Sequence, residues 1–337
     1  MMPRPRAEPM TVIGAGSWGT ALAIQLAREG HSARLWGRDG LQLEAMRRAR
    51  RNERYLPDAA FPDALQVAHD LPQALKGARD ALIAVPSHAF RATLESIKPH
   101  LGRGTRVAWA TKGFEIETGL LPHQVVSEVL GLTPGAVLSG PTFAKEVGAG
   151  LPTAMTVASH DESFAKQLAL SLSGPSFRAY TQSDIIGVEV GGAVKNVIAI
   201  GSGIADGMGY GANTRVALIA RGLAEMMRLG VKLGAARETF MGLAGLGDLV
   251  LTCTDDQSRN RRFGIALGRG QSLSQAQSEI QQVVEGLPAA RAVCAVARRL
   301  GVEMPICQEI YRVMHEGRPV RDAVQALMGR EVRSEWG

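Results

Sequence analysis

The sequence is poor in cysteine and in aromatic residues, and it contains neither an internal repeat nor a low-complexity stretch. Its cysteines, Cys253, Cys294 and Cys307, are odd in number and none stands at metal-ligand spacing from another. Neither a disulfide framework nor a zinc site is therefore expected, and no metal is assigned. Aromatic side chains make up 5% of the chain, and the formal charge of +6 comes from scattered basic residues rather than a basic run. An excess of that kind reads as a solvated surface, so nucleic acid is not expected as a partner. The N-terminal residues run from Met1-Met2-Pro3-Arg4 into Ala7-Glu8-Pro9 without the apolar core of a signal peptide. With the thiols read as reduced, a cytoplasmic protein is expected. Long uncharged runs are scarce too. Residues 185–205 form one, but it includes Glu189, Lys195 and the glycines 187, 191, 192, 201 and 203. Charges and glycines are costly in a lipid-facing helix, so this stretch is expected as the buried helix of a soluble protein, with no integral membrane segment.

What is present is a chain of 337 residues, 45% hydrophobic and 21% charged, long enough for two domains. The first half alternates short apolar runs with helical patterns. Strands are predicted over 11–13, 33–36, 81–85, 106–110 and 136–138, with helices over 20–28, 70–77 and 90–101. Such alternation makes an α/β domain with a mainly parallel sheet, which 153–158 and 177–180 extend or close. From about Asp184 the pattern turns helical, over 185–205, 214–229, 287–300, 306–316 and 320–328. The predicted organisation is a Rossmann-type dinucleotide-binding domain, 1–183, followed by an all-α domain, 184–337, that binds substrate and carries the catalytic group.

Gly14-Ala15-Gly16-Ser17-Trp18-Gly19 matches G-x-G-x-x-G between a predicted strand and a predicted helix. In such a turn Gly14 permits the tight bend, Gly16 admits the pyrophosphate and Gly19 lets the helix pack closely on the strand. Helix N-terminal amides then face the anion. An NAD-specific site places an acid about 20 residues further on, at the ribose hydroxyl. Here the second strand ends in Trp36-Gly37-Arg38-Asp39. Arg38 suits a 2′-phosphate, which favours NADPH, while Asp39 leaves NADH open.

Proton management points away from histidine, since His31, His69, His100, His123, His160 and His315 stand in surface-like surroundings. Lys195 lies instead in Gly191-Gly192-Ala193-Val194-Lys195-Asn196-Val197-Ile198, among small and apolar neighbours. Burial disfavours its charge and suits it to acid–base work. Lys112, in Ala110-Thr111-Lys112-Gly113, is a second cation, at the strand end where ligands of such sheets bind. Ser258-Arg259-Asn260 offers hydroxyl, guanidinium and amide donors in a run suited to a phosphate monoester.

These blocks, together with Ser139-Gly140-Pro141-Thr142-Phe143-Ala144, Gly245-Leu246-Gly247-Asp248-Leu249 and Val283-Val284-Glu285-Gly286, carry a resemblance from the glycine turn almost to the C-terminus. The chain resembles the bacterial NAD(P)-dependent sn-glycerol-3-phosphate dehydrogenases. The resemblance implies reversible reduction of dihydroxyacetone phosphate to sn-glycerol 3-phosphate, supplying the backbone of phospholipids, in a homodimer. It makes Lys195 the proton acceptor in the oxidation direction. It places Ser17, Trp18, Arg38, Tyr55, Lys112, Ala144, Arg259, Val283 and Glu285 at the cofactor. Lys112, Gly140, Thr142, Lys195, Asp248, Ser258, Arg259 and Asn260 fall at the substrate. Lys112 would polarise the ketone, while Asp248 and Asn196 would orient the ammonium group of Lys195. The rival enzyme class, β-hydroxyacid dehydrogenases of the 6-phosphogluconate or hydroxyisobutyrate type, also uses a helix lysine but typically has Asn four positions later. Residue 199 here is Ala. A non-catalytic NADPH sensor is the other alternative, which retention of both lysines and the Ser258 run disfavours.

Overall fold

The computed structural model describes residues 9–131, 135–280, 283–332 and 334. The N-terminal segment weighed above as a signal peptide lies outside them, apart from Pro9. Two compact units are present. One runs to Lys112 and resumes over Pro122–Ile185; the other takes Gly113–Leu121 and the chain from Ile186 onward.

The first unit is built on ten strands: β1 (Met10–Ile13), β2 (Ala33–Trp36), β3 (Arg51–Asn52), β4 (Leu56–Ala60), β5 (Leu65–Val67), β6 (Asp80–Ile83), β7 (Arg106–Trp109), β8 (Gly135–Ser139), β9 (Thr153–Ala158) and β10 (Phe177–Gln182). β3 and β4 form a small antiparallel ribbon, and the other eight make one sheet in the order β10-β9-β8-β7-β6-β1-β2-β5. Every pairing from β5 to β8 is parallel; β9 runs antiparallel to β8 and parallel to β10. β1 and β6 are buried along their whole length and apolar apart from Thr11 and the ion-paired Asp80, as suits strands covered on both faces. Strand order reverses beside β1, the switch point where such sheets bind ligands. The register sets the binding edge. Ile13 pairs with Trp36 and with Ile83, and Ile83 pairs with Trp109, so the residues that leave these strands emerge in one row.

The predicted strands are all present, with ends shifted by a residue or two. Helices over Gly40–Ala49, Pro122–Leu130 and Glu162–Leu172 were not legible from periodicity. Two of them start at an aspartate, Asp39 and Asp161, whose side chain accepts hydrogen bonds from the first-turn amides.

The second unit is helical and centres on Ile185–Gly207. Among the described residues this is the one helix long and apolar enough to cross a membrane, yet 94% of its most apolar window is buried inside the protein. Val190, Val194, Val197, Ile198 and Ile200 are fully buried, so the helix is largely apolar because it is a core element, with a few buried polar residues. Helices Ala212–Lys232, Gly286–Leu300, Pro305–His315 and Val320–Met328 match the predicted ones, and Asp248–Thr254, Arg259–Gly268 and Leu273–Ile280 are additional. Phe114 and Leu121, from the segment that follows Lys112, join this unit's core.

Helix Pro305–His315 has Met304 at its N-cap, which offers no side-chain acceptor. Glu225, from Ala212–Lys232, serves instead: its Oε1 accepts from the Ile306 amide at 2.6 Å and its Oε2 from the Cys307 amide at 3.1 Å. Burial pushes this carboxyl up to about 7, against the pull of the two amides. A raised folded-state value means stability that is full below the unfolded value near 4.5 and lost as pH rises through 7. The size is on the order of 3 kcal/mol. Thermal midpoints of wild type and Glu225→Gln, compared at pH 5 and pH 8, should diverge, with wild type losing more on alkalinisation. Parallel pH dependence in the two proteins would refute this origin.

Candidate active site

The sheet unit supplies the dinucleotide end. Gly14 adopts φ 120° directly after β1, and a side chain there would strike the Ala84 carbonyl. One at Gly19 would strike the carbonyl of Gly14, so helix Ser17–Arg28 sits directly on the turn. Gly16 differs: a Cβ there would face open space, and no side chain caps the helix. The first helical amides are thus presented to an anion. The indole Nε1 of Trp18 is buried without a partner. An uncapped helix start, an open glycine and an orphaned donor all fit a dinucleotide pyrophosphate.

Two residues that sequence reasoning missed brace the turn. Asn52 Nδ2 donates to the Ala15 carbonyl at 3.0 Å and to Thr20 Oγ1 at 2.8 Å, and Gln42 Nε2 donates to the same carbonyl at 3.0 Å. No local signal marks them, because each reaches the turn across tertiary structure.

The end of β2 bears on cofactor choice. Asp39 Oδ1 accepts from the amides of Leu41 and Gln42, both at 3.1 Å, and its Oδ2 lies 3.6 Å from Arg54. The acid that kept NADH open is therefore engaged as a helix cap. Arg38 beside it is exposed. Tyr55 is half-buried, with the Arg54 guanidinium 5.1 Å from its ring centre. Lys112 is half-buried three residues beyond β7, along the same edge. Gly140 follows β8 and accepts from Thr142 Oγ1 at 3.2 Å, and Ala144 opens a short helix, Ala144–Ala149.

In the helical unit Lys195 is 8% exposed, one of few buried charged residues. Its Nζ donates to Asp248 Oδ1 at 2.5 Å and to Thr252 Oγ1 at 3.1 Å. Asp248 begins helix Asp248–Thr254 directly after a π-helical turn, Leu243–Gly247, an irregularity often found at functional sites. Thr252 lies one turn along the same face and donates to the Asp248 carbonyl at 2.6 Å, leaving a lone pair for the ammonium. The carboxylate favours the ammonium form, opposing the effect of burial. Asn196, expected beside Asp248 on the ammonium, forms its bonds elsewhere. Its Oδ1 accepts from Asn260 at 2.9 Å and its Nδ2 lies 3.4 Å from Glu285 Oε2. Adjacent helical residues point about 100° apart, so Lys195 and Asn196 serve different partners. Thr252 is the second acceptor for Lys195, and its i+4 spacing from Asp248 was the available signal.

Asn260 Oδ1 also accepts from the Gly286 amide at 2.9 Å, tying Asn196, Asn260 and the Glu285-Gly286 turn together. Ser258 Oγ caps helix Arg259–Gly268 by accepting from the Arg261 amide at 3.2 Å, which leaves its proton for a ligand. Arg259 is half-buried at the first helical position and Val283 is exposed. Among the described residues no His, Cys, Asp and Glu cluster suited to a metal ion occurs.

A sheet that presents a glycine turn at its switch point, with a helical unit that buries a carboxylate-held lysine, defines a nicotinamide-dependent dehydrogenase. Profiles of the NAD-dependent glycerol-3-phosphate dehydrogenase N-terminus and C-terminus match residues 9–165 and 184–325. The chain is 58% identical over 328 residues to a glycerol-3-phosphate dehydrogenase [NAD(P)+] of Serratia proteamaculans, and 57% identical to one of Yersinia pestis, covering 97% of each chain in both cases. The crystal structure of glycerol-3-phosphate dehydrogenase from Coxiella burnetii superposes with a TM-score of 0.94 at 48% identity, over 97% of this chain and 100% of that one. The protein belongs to the NAD(P)-dependent glycerol-3-phosphate dehydrogenase family.

Proposed function

We propose that the protein catalyses the reversible reduction of dihydroxyacetone phosphate to sn-glycerol 3-phosphate, the step that supplies the backbone of glycerophospholipids. The observation that carries this reading is the buried Lys195 ammonium, held by Asp248 at 2.5 Å and Thr252 at 3.1 Å. Residues 1–183 act as the dinucleotide-binding domain and 184–337 as the substrate-binding and catalytic domain. Bound NAD(P)H supplies a hydride to the C2 carbon of the ketone. Lys195 gives its proton to the C2 oxygen in reduction and takes it back in oxidation, with Asp248 balancing its charge. Lys112 adds positive charge at the same oxygen. Ser258, Arg259 and Asn260 hold the phosphate, Gly140 and Thr142 line the substrate, and Asn196 fixes Asn260. Gly14, Gly16 and Gly19 shape the pyrophosphate seat, where Ser17 and Trp18 contribute donors. Tyr55, Ala144, Val283 and Glu285, with Lys112 and Arg259, complete the cofactor contacts. The enzyme works as a cytoplasmic homodimer.

NADPH is the preferred reductant in this reading, because Arg38 is exposed at the end of β2 while Asp39 is engaged as a helix cap. Arg38→Ala should weaken NADPH by roughly tenfold and leave NADH nearly unchanged, since a charge-assisted contact is worth about 1.5–3 kcal/mol. Fluorescence titration with both nucleotides decides it; an unchanged ratio of the two affinities would remove Arg38 from the site. The phosphate assignment is tested separately by Arg259→Ala. Its KM for dihydroxyacetone phosphate should rise by about 100-fold, as for a lost charged hydrogen-bond pair. A KM equal to that of wild type would overturn the role given to the Ser258 run.

A further inference from the structure

Two charged groups in the helical unit stand where helix electrostatics disfavours them. Asp206 lies in the last turn of Ile185–Gly207, near the negative end of the helix dipole. Arg261 lies in the first turn of Arg259–Gly268, near the positive end, together with Arg259 and Arg262 and without any acid. Neither placement stabilises its own helix. The two residues meet instead. Asp206 Oδ2 accepts from Arg261 Nη2 at 2.7 Å and Nε at 3.1 Å, and Asp206 Oδ1 accepts from Arg215 Nη2 at 2.7 Å and Nε at 3.0 Å. Asp206 and Arg261 each keep 9% side-chain exposure, and Asp256 also pairs with Arg261.

The two helices touch through their backbones. A side chain at Gly203 would strike the carbonyl of Arg261, and one at Gly264 the carbonyl of Ile200. Gly207 and Gly268 make the same close approach, so the helices lie near enough for polar side chains to tie one to the other. The Asn196–Asn260 bond and the Asp206 clamp tie these helices through polar side chains. Lys195 and Asn196 are on one helix; Arg259 and Asn260 open the other.

We propose that Asp206 is a positioning residue for the substrate phosphate. By holding Arg261 at two points, with Arg215 bracing it from the far side, Asp206 sets the start of Arg259–Gly268 against Lys195. It also occupies the Arg261 guanidinium, so that the anion is received by the neighbouring Ser258, Arg259 and Asn260. This rests on the phosphate role proposed above for those three residues.

The test is steady-state kinetics of Asp206→Asn and of Arg261→Lys, which keeps the charge but lacks the planar two-point fork. Both should raise KM for dihydroxyacetone phosphate by about tenfold or more, with kcat changed by less than about threefold, since the clamp places phosphate donors and a lost binding contact raises KM alone. The pH dependence of kcat should match wild type, because the Lys195–Asp248 bond is untouched. A lower thermal midpoint with unchanged KM would show a purely structural clamp and overturn the proposal, as would a fall in kcat at constant KM. If Asp206→Asn does not fold, Arg261→Lys alone decides by the same split. Arg259→Ala separates the two claims. If it raises KM and the clamp variants do not, only the clamp fails; if it leaves KM unchanged, the phosphate reading fails first.

Discussion

Lys195→Met should lose about 10³-fold or more in turnover with dihydroxyacetone phosphate, the range expected when the acid–base group of a proton transfer is removed. Methionine keeps much of the volume in a site where Lys195 is 8% exposed, so the loss reports chemistry more than packing. NADPH affinity should change little, because the glycine turn proposed to receive the pyrophosphate belongs to the other unit. Lys195→Arg sharpens the test. Arginine keeps the positive charge beside Asp248 but does not give up a proton at any working pH. It should be as inactive as the methionine variant. Restored turnover with arginine would mean that the residue acts through charge alone.

Asp248→Asn should produce the second large effect, of a different kind. The carboxylate is 1% exposed and contacts the ammonium at 2.5 Å, so the change removes a negative charge that directly holds a buried cation. Loss of one partner of a buried pair costs about 3–5 kcal/mol, and the thermal midpoint should fall accordingly. The pH profile carries the mechanistic content. The carboxylate favours the protonated lysine, so its removal makes the proton easier to lose. The proposed reduction uses the protonated form, and its alkaline limb should therefore move toward lower pH in the variant. Turnover at neutral pH should drop by about 100-fold. A pH profile superimposable on that of wild type would show that Asp248 does not tune the lysine.

Much of this site can be read from the chain because the chemistry is local. Lys195 stands out through its apolar neighbours, and Gly14, Gly16 and Gly19 through their spacing between a strand and a helix. Their environments are set by residues within one or two turns. The partners that hold them are different. Thr252 is recognisable only once Asp248 is known to begin a helix, which places the two on one face. Asn52, Gln42 and Glu225 reach their targets over separations of 27 to 82 residues, through contacts that no periodicity encodes. Asn196 shows the opposite failure. The family resemblance implied a role on the Lys195 ammonium, and helix geometry turned its side chain to Asn260 instead.

The fold follows the same division. Buried strands such as β1 and β6 announce themselves as apolar runs. Helix Arg259–Gly268 escapes periodicity because its glycines and arginines serve a close helix crossing and a charged site rather than an amphipathic stripe. The reversal of β9 against β8 depends on pairing, which apolar patterning does not specify.

The most direct test of the proposed reaction is oxidation of NADPH by the purified wild-type protein, followed by loss of nicotinamide absorbance. Dihydroxyacetone phosphate is compared with unphosphorylated dihydroxyacetone and with a β-keto acid. Rapid oxidation with the phosphate ester is the predicted result, with kcat/KM lower by about 10³-fold or more for the unphosphorylated ketone, because the phosphate donors would lose their anionic acceptor. Equal rates with and without the phosphate, or a preference for the β-keto acid, would contradict the assignment of Ser258, Arg259 and Asn260 and the reaction built on Lys195.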